Sequence, residues 1–319
     1  MSFKPMLSPL NSPADTPTFF QDIQFPVFAS VKLDGIRAVT RTVPVTEFTG
    51  LDEGAILSFE NVVLSRTLKR IPSEQVQSEL SKYPFLDGEL IIGNPNDDNV
   101  YNRTQSHVMS VNKPGELFYF VFDYTDEACA DEYYYLRLER LEKIVKEINK
   151  PNIILLPQTV CENLDELLKF ETNALQLGYE GVMFRNPGGR YKHNRATYLE
   201  NIIYKLKRFF DDEAIILDIP EGTLNTNEQE YDERGYSKRS DKQAGKIASG
   251  LIKNFIADWR GTILEIAPGV LTHRERKYMF ENKEKFIGKY VKFRAFSYGV
   301  KDLPRFPRCI GLRNEIDMG

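Results

Sequence analysis

The chain is written in short apolar runs. Apolar, β-branched or aromatic residues fill positions 27–31 apart from Ser30, and 38–39, 90–92, 117–122, 153–156, 182–184, 202–204 and 214–217, and each run is soon cut by a charged or turn-forming residue. Runs of this length suit strands better than helices. Helical spacing is sustained over residues 132–149, with Leu138, Leu141, Val145 and Ile148 on one face, and over 162–177, closed by Gly178 at a C-cap position. A shorter helix is expected over 73–83. Residues 1–26 read as an extended lead-in, 44–63 as an irregular stretch with strand-like pieces, and 93–115 as a loop. The chain must therefore fold around sheets, with a few helices against them, in the α+β class.

The texture changes after Lys207. Residues 214–219 read as a strand, 221–246 are polar and turn-rich, and strands follow at 250–255, 262–266, 290–296 and 309–312. One short helix begins at Thr272, where Thr272-His273-Arg274-Glu275 has capping-box spacing. Five short strands and one helix suggest a small barrel of the OB type. With 319 residues there is room for two domains, and the expected boundary lies near Phe209.

Composition excludes several classes. No run of 18 apolar residues exists, so no membrane-spanning helix is expected. The start, Met1-Ser2-Phe3-Lys4-Pro5, lacks the apolar core of a secretory signal. The three cysteines, Cys129, Cys161 and Cys309, are far apart, which predicts reduced thiols and a cytoplasmic setting. His107, His193 and His273 are equally scattered, so a His/Cys zinc site is not expected. Net charge is −4; residues 208–319 carry 20 Lys+Arg against 18 Asp+Glu, and the rest 22 against 28. Any nucleic-acid binding must rest on a local basic face.

Lys32-Leu33-Asp34-Gly35-Ile36-Arg37 interrupts the first two strand-like runs. A lysine followed by an acid, a glycine and an arginine suits an enzyme that joins its own amine to a nucleotide phosphate, provided the amine can become neutral. The bland alternative is a surface lysine before an Asp-Gly hairpin turn. The chemistry expects the nucleophile at the mouth of that hairpin. Asp87-Gly88-Glu89 precedes a second apolar strand, and an acid there needs a cation, ligand or metal. Glu180 stands before a third. Alternation places Lys205 and Lys207 on one strand face, where a phosphate would relieve their repulsion. The same lysines would help to hold Lys32 neutral.

The ordered series K-x-D-G-x-R, S-R-x4-I-P, D-G-E-L, F-D-Y, E-G-V-M and K-L-K, ending in a small β-domain, resembles the covalent nucleotidyltransferase superfamily. It is most similar to ATP-dependent DNA ligases of the small viral or phage type, from Phe25 to Arg313. The resemblance implies a nucleotidyltransferase (adenylation) domain of ATP-grasp-like antiparallel sheets with helices over residues 1–208. An OB-fold β-barrel over 209–319 would follow. It implies sealing of 5′-phosphate/3′-hydroxyl nicks in duplex DNA by a monomer, with ATP, Mg²⁺ and an AMP carried covalently on Lys32. It leaves any protein helper open.

By the same resemblance Ser30 meets the adenine edge and Phe122 stacks on the base. Glu89 reads the ribose or joins the metal shell, Glu180 positions metal, and Lys205 and Lys207 grip the AMP phosphate. Asp34 lies near the 3′-hydroxyl, and Arg37 and Arg66 near the 5′-phosphate. Lys238, Arg239, Lys242 and Lys246 stand where small ligases carry a DNA-clasping loop; a solvated loop is the alternative. The last motif departs from the family's R-x-D-K: Arg313-Asn314-Glu315-Ile316 lacks the lysine, so Arg305, Arg308 or Arg313 would orient the pyrophosphate. A GTP-dependent RNA-capping guanylyltransferase or an RNA ligase shares the lysine chemistry, and labelling from GTP would identify the former. A non-catalytic nucleic-acid-binding module would have no use for Lys205, Lys207, Glu89 and Glu180 together.

Overall fold

The computed structural model describes residues 3–10, 17–46, 56–97, 99–129, 131–231, 237–240, 243–296 and 303–313. The chain divides into two compact units, Met1–Lys207 and Arg208–Gly319. In chain order the first runs β1 (Val27–Val31), β2 (Ile36–Thr46), β3 (Ile56–Ser65), α1 (Glu74–Leu80), β4 (Leu86–Ile92), α2 (Val100–Val108), β5 (Leu117–Tyr124), α3 (Tyr134–Ile148), β6 (Ile153–Leu155), β7 (Thr159–Cys161), α4 (Leu164–Gln176), β8 (Val182–Arg185) and β9 (Ile203–Leu206). No helix among the described residues is long and apolar enough to cross a membrane.

These strands form two sheets, ordered β7-β1-β8-β9 and β3-β2-β4-β5-β6. Every pairing is antiparallel except β5 with β6. Helix α3 covers the second sheet because Leu141, Ile144, Val145 and Ile148 share a face and pack on the Leu90, Tyr119 and Ile153 cluster. Leu141, fully buried, contributes about 1.5–3 kcal/mol, and the three half-buried residues less. Helix α4 buries Leu167 and Ala174 against the first sheet. It stops where Gly178, at φ +87°, takes the left-handed conformation that ends helices. A third cluster, with Leu33, Ile91, Val100 and Leu156 at its centre and Val31, Phe120 and Phe122 around it, joins strands of both sheets.

The expected hairpin at Lys32 is not what forms. β1 pairs with β7 and β8, whereas β2 pairs with β3 and β4. Asp34-Gly35 is thus the crossover from one sheet to the other. Gly35 is required by close approach: a Cβ there would lie 2.2 Å from the Leu90 carbonyl oxygen. Asp87-Gly88 is likewise no turn but lies inside β4.

Two stretches are more regular than their composition suggested. Residues 44–46 and 56–63 supply the ends of the long β2–β3 ladder, and 47–55 lie outside the described residues. The expected loop over 93–115 contains α2, because Val100, Thr104, His107 and Val108 make a buried face in spite of poor local propensity. That helix closes the end of β4: the Thr104 hydroxyl accepts from the Ile92 N–H at 3.0 Å, and Arg103 Nε donates to the Ile92 carbonyl at 2.7 Å.

The second unit comprises β10 (Phe209–Asp218), β11 (Glu221–Asn225), β12 (Gln229–Tyr231), β13 (Ser237–Arg239), β14 (Lys246–Ile252), β15 (Phe255–Trp259), β16 (Thr262–Ile266), α5 (His273–Glu281), β17 (Tyr290–Phe296) and β18 (Arg305–Leu312). Its main sheet is antiparallel in the order β16-β15-β10-β17-β18. One parallel bridge, Ala267 to Arg308, joins the two ends. The barrel is therefore curled and partly open, since a single bridge replaces a closing ladder. Phe255, Leu264, Val291 and Phe293 fill it. Helix α5 begins at the capping box, with Thr272 and Glu275 each satisfying the other's backbone N–H. The polar stretch 221–246 builds two ribbons, β11–β14 and β12–β13. Apolar alternation is weak there, and β11 packs neither face into a core.

Candidate active site

A cavity of about 660 Å³ opens in the first unit, a size that suits a small-molecule ligand. Ser30, Lys32, Asp34, Arg37, Arg66, Glu89, Phe122 and Lys205 line it. These residues come from both sheets and from the crossover between them. β1 ends at Val31, which aims Lys32 off the strand, and the Lys32 N–H donates to the Gly181 carbonyl at 2.8 Å. That bond places the lysine beside Glu180. Gly181 is itself fixed by crowding, since a Cβ on it would lie 2.3 Å from the Leu206 carbonyl oxygen.

Glu180 is the electrostatic centre. One carboxylate oxygen accepts from the Lys32 ammonium and the other from the Lys207 ammonium. Burial alone would raise the Glu180 pKa, but the two lysines outweigh it and hold it at about 2. Burial works against the Lys32 ammonium, yet the Glu180 charge and hydrogen bond outweigh that, and the lysine titrates above its ordinary range. The expectation that neighbouring lysines keep Lys32 neutral is corrected here. Lys207 directs its charge to Glu180, and the Lys205 ammonium donates to the Leu10 carbonyl at 2.5 Å. A cation facing a carboxylate stays charged unless something draws the carboxylate away.

Glu89 behaves in the opposite way. Burial raises its pKa to about 7, against the pull of Lys32 and Arg37. Two carboxyl groups around one lysine thus differ by several units, the pattern expected where acid and base functions are separated. Among the described residues no group of three or more His, Cys, Asp or Glu could hold a metal ion. A Mg²⁺ ion needs less, because one or two carboxylates with substrate phosphates and water suffice.

Phe118, Phe120 and Phe122 share the half-buried face of β5, while Tyr119, Val121 and Asp123 point to the buried one. Of the three rings only Phe122 lines the cavity. The Arg37 guanidinium carbon lies 4.6 Å from its centroid and that of Arg185 5.2 Å. Arg37 is held by a fork to Asp87, at 2.6 and 2.7 Å. Asp87, fully buried, also accepts from the Tyr191 hydroxyl at 2.9 Å. Arg66 is exposed, in the turn that follows β3.

Several site residues escaped sequence reasoning. Arg185 and Arg195 line the cavity, as do Met6, Ser8 and Leu10 of the N-terminal segment. The segment lies alongside residues 194–196 through Leu7 N–H to Asn194 O and Ala196 N–H to Leu7 O, at 2.9 and 2.8 Å. Its carbonyls at Met6, Ser8 and Leu10 accept from Arg37, Arg195 and Lys205. Asp87 and Arg185 carried a readable signal, standing at the start of D-G-E-L and the end of E-G-V-M-F-R. Nothing local marked Arg195 or the segment at 3–10.

In the second unit the Arg313 guanidinium donates to Glu213 at 2.8 Å, and Arg308 is exposed on β18. Lys246 opens β14. Lys242 lies outside the described residues, as do the side chains of Lys238, Arg239 and Arg305, whose backbones belong to β13 and β18.

The family model described as ATP dependent DNA ligase domain matches residues 5–207. A DNA ligase of African swine fever virus (isolate Pig/Kenya/KEN-50/1950) is 28% identical over 218 residues, covering 64% of this chain and 47% of that protein. A DNA ligase of Archaeoglobus fulgidus is 24% identical over 283 residues, covering 80% and 48%. The chain thus spans about half the length of the curated relatives it matches. The crystal structure of Chlorella virus DNA ligase-adenylate is 29% identical with a TM-score of 0.51, covering 98% of this chain and 100% of that one. A Lig E DNA ligase structure has a TM-score of 0.68 at 19% identity, covering 98% and 100%, a likeness of fold.

Proposed function

This chain belongs to the family of ATP-dependent DNA ligase domains, and from that premise we propose that it seals 5′-phosphate/3′-hydroxyl nicks in duplex DNA. The observation that carries the reading is the Lys32–Glu180–Lys207 triad at a nucleotide-sized cavity, with Glu89 beside it.

In the first step Lys32 Nζ forms a bond to the α-phosphorus of ATP and the bond to pyrophosphate breaks. The ammonium must first lose its proton to solvent, and Glu180, too weak a base at a pKa of about 2 to take it, holds the amine in place. Lys205 and Lys207 stabilise charge on the phosphate; transfer of this kind depends mainly on positioning and electrostatics. Ser30 and Phe122 receive the adenine edge and face. In the second step a 5′-phosphate oxygen of the nick attacks the AMP phosphorus, and the Lys32 amine is regained as the P–N bond breaks. In the third the 3′-hydroxyl attacks the 5′-phosphorus and AMP leaves. Asp34 faces the hydroxyl. Arg66 and Arg37, the latter from its ion pair with Asp87, bear on the 5′-phosphate.

The residues also fit Mg²⁺: Glu89, a buried carboxyl whose charge is disfavoured, and Glu180 would hold it together with substrate phosphates. When bound, the ion would supply charge neutralisation on the phosphates. In the second unit Arg313, Arg308 and Arg305 are assigned to pyrophosphate, and Lys238, Arg239, Lys242 and Lys246 to duplex phosphates.

Label transfer tests the reading. The protein is mixed with Mg²⁺ and α-labelled ATP or GTP, denatured and examined for label on the chain, beside Lys32→Ala. Label from ATP that disappears in the variant is expected. Label from GTP alone would replace the proposal with capping chemistry, and absence of label from protein free of pre-bound AMP would refute nucleotidyl transfer.

A further inference from the structure

Behind the cavity lies a buried ion cluster that the three steps above do not use. Asp123 is fully buried on β5 and accepts from Arg137 Nε at 2.8 Å, Arg137 Nη2 at 3.2 Å and Arg185 Nη1 at 2.6 Å. Arg137, also fully buried, comes from α3 and spends its remaining nitrogen on the Glu132 and Gly189 carbonyls, at 2.6 and 3.3 Å. Arg185 ends β8.

β5 belongs to the second sheet and β8 to the first. The Asp123–Arg185 pair is therefore a side-chain tie between the sheet that carries Phe122 and the sheet that carries Lys32. The tie acts on Phe122 from two sides. Phe122 is the chain neighbour of Asp123, and the Arg185 guanidinium carbon lies 5.2 Å from its ring. The Tyr134 hydroxyl, 12 residues on, donates to the Phe122 carbonyl at 3.0 Å, and the Tyr134 ring stands 4.7 Å from the same Arg185 carbon. Arg185 itself lines the cavity, whereas Arg137 does not.

We propose that Asp123 is a positioning residue: through Arg185 it fixes where the Phe122 ring stands relative to Lys32, and so sets the affinity for the nucleotide base. This rests on the assignment of the cavity to ATP. A purely structural cluster would stabilise the fold and leave nucleotide affinity untouched, and buried ion pairs often do no more. The two arginines separate the cases, because they share one carboxylate but only one reaches the cavity.

The test uses the full chain and measures KM and kcat for lysyl-AMP formation, with thermal unfolding alongside, for Asp123→Asn, Arg185→Lys and Arg137→Lys. Asp123→Asn and Arg185→Lys are expected to raise KM for ATP about tenfold or more with kcat within about threefold. Arg137→Lys is expected to lower the unfolding temperature with KM within about twofold. If Asp123→Asn does not fold, the contrast between the two arginine variants decides alone. Equal KM for Arg185→Lys and Arg137→Lys overturns the proposal, as does a folded Asp123→Asn with unchanged KM. Failure of the wild type to take label refutes the assignment of the cavity instead, so the two failures are distinguishable.

Discussion

At the scale of single residues, the resting state of Lys32 governs when the chain can react. The amine is the nucleophile, yet its pKa is raised, with the Glu180 carboxylate overriding burial. A group whose pKa is raised stays protonated to higher pH. The neutral fraction, and with it the rate of the first step, grows as pH rises. We expect single-turnover lysyl-AMP formation to climb with pH across the neutral and mildly alkaline range. Glu180→Gln removes the main cause of the raised pKa, so the rising limb should move to lower pH even as the maximal rate falls. A limb that stays in place would mean that Lys32 is not the group titrating. Lys32, Asp34, Arg37 and Glu180 could be picked out as candidates by their types, because K-x-D-G-x-R and E-G-V-M suggest their chemistry. Their protonation could not, because it depends on which charges the fold brings within reach.

At the scale of elements, the first sheet's β1 and the second sheet's β2 are consecutive in the chain but do not pair. The sequence reads as strand, turn, strand, which is also how a hairpin reads, so local pattern favoured the wrong partner. The N-terminal segment gave no local signal at all. Its value lies in an edge of backbone: Leu7 pairs with residues 194 and 196 while alternate carbonyls face Arg37, Arg195 and Lys205. Leu7→Pro would remove the N–H that reaches the Asn194 carbonyl and, although Leu7 also lines the cavity, leave Ser30, Lys32, Glu89, Phe122 and Lys205 unchanged. Asn194 is exposed, so water can replace the lost donor and the loss should be about 0.5–1.5 kcal/mol. Faster hydrogen exchange at Ala196 and weaker ATP binding are expected. Binding at wild-type strength would show that the segment does not support the site.

At the scale of the whole molecule, a chain of net charge −4 is proposed to bind a polyanion. Affinity must then come from local cations, Arg66, Arg195 and Lys205 in the first unit and Lys238, Arg239, Lys242 and Lys246 in the second. Each neutralised phosphate adds a slope of about −0.9 to the dependence of log affinity on log salt for duplex DNA. Replacing Lys238, Arg239, Lys242 and Lys246 by Ala should weaken binding to nicked duplex and flatten that dependence, by about one unit of slope for each phosphate that is no longer neutralised. An unchanged slope would mean that duplex phosphates are held by other cations. The change of texture after Lys207 was legible because a small barrel needs many short strands.

The sequence by itself determined the α+β class, helices α3 and α4 and the ordered set of polar motifs from which the reacting groups are proposed. These rest on periodicity and residue chemistry, which are local. Only the tertiary structure decided which sheet each strand joins, that Asp34-Gly35 is a crossover, that Lys32 rests as a charged partner of Glu180, and that Asp123 ties the two sheets. Those facts depend on residues far apart in the chain meeting in space. Lys32 and Glu180 are separated by 148 positions, Asp123 and Arg185 by 62. No short window of the sequence contains both members of either pair, and burial and Coulomb energy are set only once the fold has brought them together.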